Sequence, residues 1–227
     1  MIGAVIVAAG RGERLGGGIP KCMRELAGKP LYQYSLEAVE MCDRVDTIVL
    51  VAPAAYLDRC QEQVAGMGLQ KLAAVVAGGV TRQQSVLIGL DAHGDAVDWC
   101  AVHDAARPRA GIHLWSLVID AAQQYGGAIA AVPATDTLKQ IEDATIRRTL
   151  DRSSIWHAQT PQVFRTDELR SALVGSTAAH PSATDEAEAM ERAGHTVRVV
   201  AASADNFKIS TPSDWQYAEY LVAQDRF

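Results

Sequence analysis

Three cations stand in a glycine-rich stretch near the N-terminus. Arg11, Arg14 and Lys21 are set among Gly10, Gly12, Gly16, Gly17 and Gly18. Small residues let a backbone approach a ligand closely, and free N–H groups in such loops cradle phosphates. Side chains that carry positive charge would neutralise the oxygens. Together they point to a nucleoside triphosphate. Asp104 follows an apolar run, and a carboxylate at a strand end suits Mg²⁺, which keeps several waters and bridges substrate phosphates. A turn or capping aspartate ahead of Arg107-Pro108 would explain the same residue.

Two familiar phosphate motifs are not matched. No Gly-x-x-x-x-Gly-Lys-Ser/Thr occurs anywhere. The spacing Gly10-x-Gly12-x-x-x-Gly16 comes close to a dinucleotide fingerprint, which calls for an acid at the end of the second strand. The second apolar run, 45–51, ends instead in Ala52-Pro53.

The elements that must position these residues alternate. Ile2, Ala4, Val5, Ile6 and Val7 read as a strand buried on both faces. The stretch 30–42 reads as a helix, with Pro30 in its first turn and Leu31, Tyr34, Ser35, Ala38 and Val39 on one face. Strands are expected at 45–51, 72–76, 99–102, 128–132 and 196–200. Helices are expected at 54–64, 82–90, 112–124, 167–173, 185–190 and 212–224, and residues 156–164 return to the core. Thr81 can cap the helix after the Gly78-Gly79 turn. Asp185 and Glu186 suit a helix N-terminus on dipole grounds alone. This order marks an α/β domain with a mainly parallel sheet covered on both faces. The stretch 136–152 departs from it. Two short amphipathic runs flank a polar tip at Glu142-Asp143-Ala144 and read as a projecting hairpin. Such a hairpin is marginal alone and should pack on something, a second copy of the chain being economical.

A chain of 227 residues is long enough for one large α/β domain. Apolar content of 48% and charged content of 21% are those of an ordinary globular enzyme. The net charge of −6 argues against a general nucleic-acid binder. Cys22, Cys42, Cys60 and Cys100 form no C-x-x-C pair, so reduced thiols in a cytoplasmic protein are expected, without zinc. No apolar stretch of about 18 residues occurs, and no signal peptide or membrane association is expected.

The pattern Ala8-Ala9-Gly10-x-Gly12-x-Arg14-Leu15 followed by Pro20-Lys21 resembles the nucleotidyltransferase signature. Taken with Val102-His103-Asp104-Ala105-Ala106-Arg107-Pro108, Asp136-Thr137-Leu138-Lys139, Trp156 through Gln162, Thr184-Asp185-Glu186 and Asp205-Asn206-Phe207-Lys208, the chain resembles the 2-C-methyl-D-erythritol 4-phosphate cytidylyltransferase family over nearly its whole length. The resemblance implies a single Rossmann-like domain over 1–227, with a dimerisation arm at about 136–152. It implies Mg²⁺, CTP and a small polyol phosphate as ligands, and a homodimer. CTP is assigned to Ala8, Ala9, Gly10, Gly12, Gly79, Arg82, Ser85, Asp104 and Ala105. The acceptor is assigned to Asp104, Arg107, Thr160, Thr184 and Lys208, with Thr137 and Arg152 supplied across a dimer. Arg14, Lys21, Lys208 and Arg152 are the implied catalytic cations, and Asp104 the carboxylate nearest Mg²⁺, which rests mostly on phosphates. One departure is Cys22-Met23-Arg24 after Lys21, where many relatives carry Gln and then an aromatic and an aliphatic residue. No fused cyclase domain is expected.

The implied reaction is attack of a phosphomonoester oxygen on the α-phosphate of CTP. Both partners are anions, so catalysis is mostly positioning and charge stabilisation. Ribitol 5-phosphate as acceptor, a nucleotide-binding module without turnover, and an NADP-dependent oxidoreductase are the rival readings.

Overall fold

The computed structural model describes residues 1–10, 12, 18–175 and 183–227. Seven strands form the central sheet in the order β11-β7-β10-β6-β1-β4-β5. They are β1 (Ile2–Val7), β4 (Thr47–Ala52), β5 (Leu72–Ala77), β6 (Trp99–Asp104), β7 (Gly127–Pro133), β10 (Trp156–Arg165) and β11 (Arg198–Ala201); the short β2 (Glu25–Leu26) and β3 (Lys29–Pro30) pair only with each other. All neighbours pair in parallel except β10, which runs antiparallel to both β6 and β7. The chain starts at the centre, moves outward through β4 and β5, then crosses back to lay β6 on the other side of β1. That reversal opens a crevice at the carboxyl ends of β1 and β6, where ligands gather in such sheets.

Alternation along the inner strands builds two cores. Ala4, Ile6, Ile48, Leu50 and Ala101 face one side, against α1 (Leu31–Glu40) and α4 (Ile112–Tyr125). Val5, Val49, Val51, Cys100 and Val102 face the other, against α3 (Arg82–His93), α5 (Thr166–Gly175) and α6 (Glu186–Arg192). A period of two with both faces apolar is what a covered parallel sheet requires. Gly89 lets α3 lie close to the sheet, since a Cβ there would sit 2.4 Å from Val5 Cγ1.

The expected helix at 30–42 is shorter, Leu31–Glu40, and Pro30 is its N-cap. Its buried face is Leu31, Tyr32, Ser35, Leu36 and Val39; Tyr34 and Ala38 are half-exposed. The face is turned because Tyr32 reaches across to α2 (Leu57–Ala65), where its hydroxyl donates to Gln63 Oε1 at 2.9 Å. The run 54–64 opens as a 3₁₀ turn, Ala54–Tyr56, before α2. The last helix, α7 (Pro212–Ala223), starts at a Thr211 capping box.

The expected hairpin is present. β8 (Lys139–Glu142) and β9 (Thr145–Thr149) pair only with each other, and every residue in them is exposed. Asp143 and Ala144 both adopt positive φ, as a tight two-residue hairpin turn demands. Ile141 pairs with Ile146 on this solvent-facing ribbon. No helix among the described residues is long and apolar enough to cross a membrane.

Candidate active site

The crevice at the ends of β1 and β6 is lined by Val7, Ala9, Gly10, Lys21, Cys22, Gly79, Val80, Thr81, Arg82, Ser85, Asp104, Ala106 and Lys208. Its charge centre is Asp104, the last residue of β6, whose side chain is only 11% exposed. Lys208 Nζ donates to Asp104 Oδ2 at 2.6 Å, and Arg82 Nε donates to Oδ1 at 3.2 Å. Arg107 Nε lies 4.0 Å from Oδ2. Burial alone would raise the Asp104 carboxyl, but the Arg82 and Lys208 charges outweigh it and hold the group ionised, far below the usual carboxylate range. Arg82 is held in turn by Glu186, with Nη1–Oε1 at 2.5 Å and Nη2–Oε2 at 2.9 Å. Burial would lower the Arg82 pKa, but Glu186 and Asp104 together raise it.

Lys21 enters from the other wall, in a 3₁₀ turn Lys21–Met23 after Pro20. It is 91% buried, and its Nζ donates to the Ile209 carbonyl at 3.1 Å. Gly12 has φ +64°, and a Cβ there would lie 2.8 Å from Lys21 Cβ. A glycine is therefore required where the loop passes over the Lys21 stem. Beside Lys21, burial pushes the Cys22 thiol up to about 11, so it lines the crevice as a neutral group. The facing wall is the Gly78-Gly79 turn. Ser85 Oγ accepts from Gly79 N–H at 3.1 Å and donates to the Thr81 carbonyl at 3.0 Å. Thr81 caps α3 with a full capping box. Ser85 thus fixes the turn whose backbone lines the crevice.

Behind Asp104 lies a buried polar layer. Thr160 Oγ1 accepts the Asp104 N–H at 3.0 Å and meets His103 Nδ1 at 2.9 Å, while His103 Nε2 faces the Arg107 carbonyl at 3.1 Å. A carbonyl only accepts, so Nε2 carries the proton and Thr160 donates to Nδ1. Burial pushes His103 down to about 4, which keeps it neutral. Arg107 is also buried. Its Nη1 donates to the Asn206 carbonyl at 2.9 Å, and burial lowers it against the Asp104 charge. Asn206 Nδ2 donates to the Thr160 carbonyl at 2.9 Å. This layer ties the segment leading to Lys208 to β6 and β10.

Of the expected site residues, Ala9, Gly10, Lys21, Gly79, Arg82, Ser85, Asp104 and Lys208 converge in one crevice. Ala8 and Ala105 are fully buried at its floor. Ala8 N–H donates to Val51 and Ala105 N–H to Val7, while the Ala105 carbonyl takes the Ser35 hydroxyl. Ala106 is the lining residue there. Arg107 and Thr160 support Asp104 from behind. Thr184 is exposed and bonds Glu188 Oε2. Thr137 and Arg152 lie exposed at the root of the arm and do not line their own chain's crevice; Arg152 Nη1 bonds the Thr135 carbonyl. Arg14 lies outside the described residues. Glu186, His103 and Asn206 are functional neighbours that the sequence reading missed. The Glu186 side chain suits a helix N-terminus equally well, so nothing in the pattern sends it inward.

For Mg²⁺, among the described residues Asp104 is the one carboxylate lining the crevice, and no three His, Cys, Asp or Glu side chains converge. That donor set would suit an ion held mainly by phosphate oxygens and water; Asp104, whose two oxygens already accept from Arg82 and Lys208, would contribute no more than a remaining lone pair.

A doubly wound sheet, a glycine loop at its central strand end and a lysine–aspartate–arginine crevice define a nucleotidyltransferase. A family model described as IspD, 2-C-methyl-D-erythritol 4-phosphate cytidylyltransferase, matches residues 2–224. The 2-C-methyl-D-erythritol 4-phosphate cytidylyltransferase of Geobacter metallireducens is 40% identical over 225 residues, covering 97% of each chain. That of Geobacillus kaustophilus is 38% identical, covering 97% of this chain and 96% of its own. The crystal structure of the 4-diphosphocytidyl-2C-methyl-D-erythritol synthase from Anaerococcus prevotii superimposes with a TM-score of 0.86 at 26% identity, covering 98% of both chains. The chain belongs to the 2-C-methyl-D-erythritol 4-phosphate cytidylyltransferase family.

The neutral His103 has a pH consequence. Its folded pKa lies below the ordinary 6.5, so its contribution to stability is complete above pH 6.5 and is lost as pH falls towards 4. His93, lowered chiefly by burial, adds in the same direction. Denaturant unfolding should show stability falling by roughly 3 kcal/mol through this histidine between pH 7 and pH 4. A His103→Gln variant should have a flatter profile; an unchanged slope would remove His103 as the cause.

Proposed function

We propose that this chain transfers CMP from CTP to 2-C-methyl-D-erythritol 4-phosphate. The products are 4-diphosphocytidyl-2-C-methyl-D-erythritol and pyrophosphate, and the setting is cytoplasmic synthesis of isoprenoid precursors by the non-mevalonate route. The observation that carries the reading is the convergence of Lys21, Lys208 and Asp104 in the crevice at the ends of β1 and β6, in a chain of this family.

The acceptor phosphate oxygen attacks the α-phosphorus, a new P–O bond forms, and the bond to the bridging oxygen breaks as pyrophosphate leaves. The nucleophile is already anionic, so no protein base is needed. Negative charge builds on the α-phosphate oxygens and the leaving bridge, and pre-placed cations lower that cost without reorganising. Lys21, anchored on Ile209, supplies one cation, with Arg14 in support. Lys208 supplies the second, between the acceptor and the α-phosphate. Its ammonium is aimed by Asp104 Oδ2. Mg²⁺, bound by phosphate oxygens and Asp104, would add charge neutralisation. The Gly79 turn and Ser85 give the base its wall, and Ala9, Gly10 and Gly12 bring backbone to the phosphates, with Ala8 buried beneath them.

The acceptor pocket is completed by Thr137 and Arg152 of a second copy of the chain. Exposure of Ile141, Ile146 and Trp156 on and beside the arm supports such a homodimer. A guanidinium fork suits the acceptor phosphate.

The direct test is pyrophosphate release from CTP and Mg²⁺ with methylerythritol 4-phosphate, beside ribitol 5-phosphate. Release with the first alone is expected. Release only with ribitol 5-phosphate would move the enzyme to another acceptor, and release with neither would refute the reading. Lys21→Ala should lower turnover by at least about 10², the scale of one lost transition-state donor, and a near-normal rate would remove Lys21 from the mechanism. Arg152→Ala should raise the KM for the acceptor and leave that for CTP nearly unchanged. Equal weakening of both would count against the arm.

A further inference from the structure

Arg82 lines the crevice, yet its guanidinium is already engaged on two sides. Glu186 pairs with both terminal nitrogens in a bidentate contact at 2.5 and 2.9 Å, and the edge formed by Nε and Nη2 turns to Asp104 Oδ1, each nitrogen at 3.2 Å. Glu186 does not line the crevice, and its side chain is 1% exposed. It is the first residue of α6. That helix start is fixed from a second direction by Gln162 on β10, whose Nε2 donates to Asp185 Oδ2 at 2.9 Å and whose Oε1 accepts the Ala187 N–H at 3.0 Å.

We infer that Glu186 is a positioning residue for the reaction. It fixes the Arg82 guanidinium and presents its Nε edge to Asp104. Planar fork-to-fork pairing fixes a guanidinium in orientation as well as position. With one N–H of each terminal nitrogen on Glu186 and the Nε–Nη2 edge on Asp104, the guanidinium is held in one orientation against Asp104. Asp104 Oδ1 is then occupied, and Oδ2 is left to aim the Lys208 ammonium. The order of action is Glu186 to Arg82 to Asp104 to Lys208, across four elements far apart in sequence. Without the Glu186 charge, Arg82 becomes a mobile cation at the crevice. Such a cation can still attract CTP, but it no longer holds Asp104 in place. The loss therefore falls on kcat, and CTP binding is spared. This inference rests on the proposed cytidylyl transfer.

The test uses steady-state pyrophosphate release from CTP and methylerythritol 4-phosphate by the full chain, with thermal melts alongside. The variants are Glu186→Gln, Arg82→Gln and the double variant. Glu186→Gln should lower kcat by at least about tenfold, with the KM for CTP within about threefold of wild type. The double variant should be no slower than Arg82→Gln, because both act through one contact. Multiplying single effects, or a Glu186→Gln kcat within twofold of wild type, would overturn the inference. If Glu186→Gln does not fold, the double variant, which buries no unpaired charge, decides it. A kcat at least about tenfold below wild type with KM for CTP spared supports the assignment, and a kcat within twofold overturns it. Wild-type turnover without these effects overturns the inference and leaves the reaction standing. No wild-type turnover overturns both.

Discussion

A single buried carboxylate orders this molecule's working end. Asp104 is ionised because Arg82, Lys208 and Arg107 surround it; Arg82 is held in turn by Glu186 and Arg107 by the Asn206 carbonyl, while Lys208 faces the crevice. Removing one partner of such a group leaves the others uncompensated, which is costly in a buried setting. The crevice is therefore preorganised. Charges that must meet a triphosphate are fixed before it arrives, and little reorganisation is left for the moment of reaction.

The fold exists to bring these groups together. β1 delivers the glycine loop, β6 delivers Asp104, α3 delivers Arg82, α6 delivers Glu186, and the segment before α7 delivers Lys208. The crossover from β5 through α3 to β6 places the ends of the two central strands, β1 and β6, side by side. The His103–Thr160–Asn206 layer then locks the antiparallel β10 and the Lys208 segment behind them. Neutral His103 suits that position, since a charged imidazole would add to the three cations already there.

Much of this was legible in the chain. The apolar runs of β1, β4 and β6 marked buried strands, and Thr81 and Thr211 marked helix starts that prove to be capping boxes. The arm was visible as polar sequence interrupting an α/β order. What was not legible depends on tertiary partners. Tyr32 is buried because α2 offers Gln63. Ser85 braces a turn from inside. Glu186 looks like a dipole-stabilising acid and instead crosses to Arg82, 104 residues earlier. Arg82 itself read as a cation for CTP, and only the structure shows two carboxylates occupying it. Local pattern specifies elements, whereas which charge meets which is settled by packing.

The measurement that bears most directly on the account is the turnover of Asp104→Asn in a protein shown by its melt to be folded. Asparagine keeps the size of the side chain and removes the charge that holds Lys208 and Arg82. With Lys208 no longer fixed, kcat should fall by at least about tenfold. Wild-type turnover in a folded Asp104→Asn protein would contradict the role assigned to Asp104.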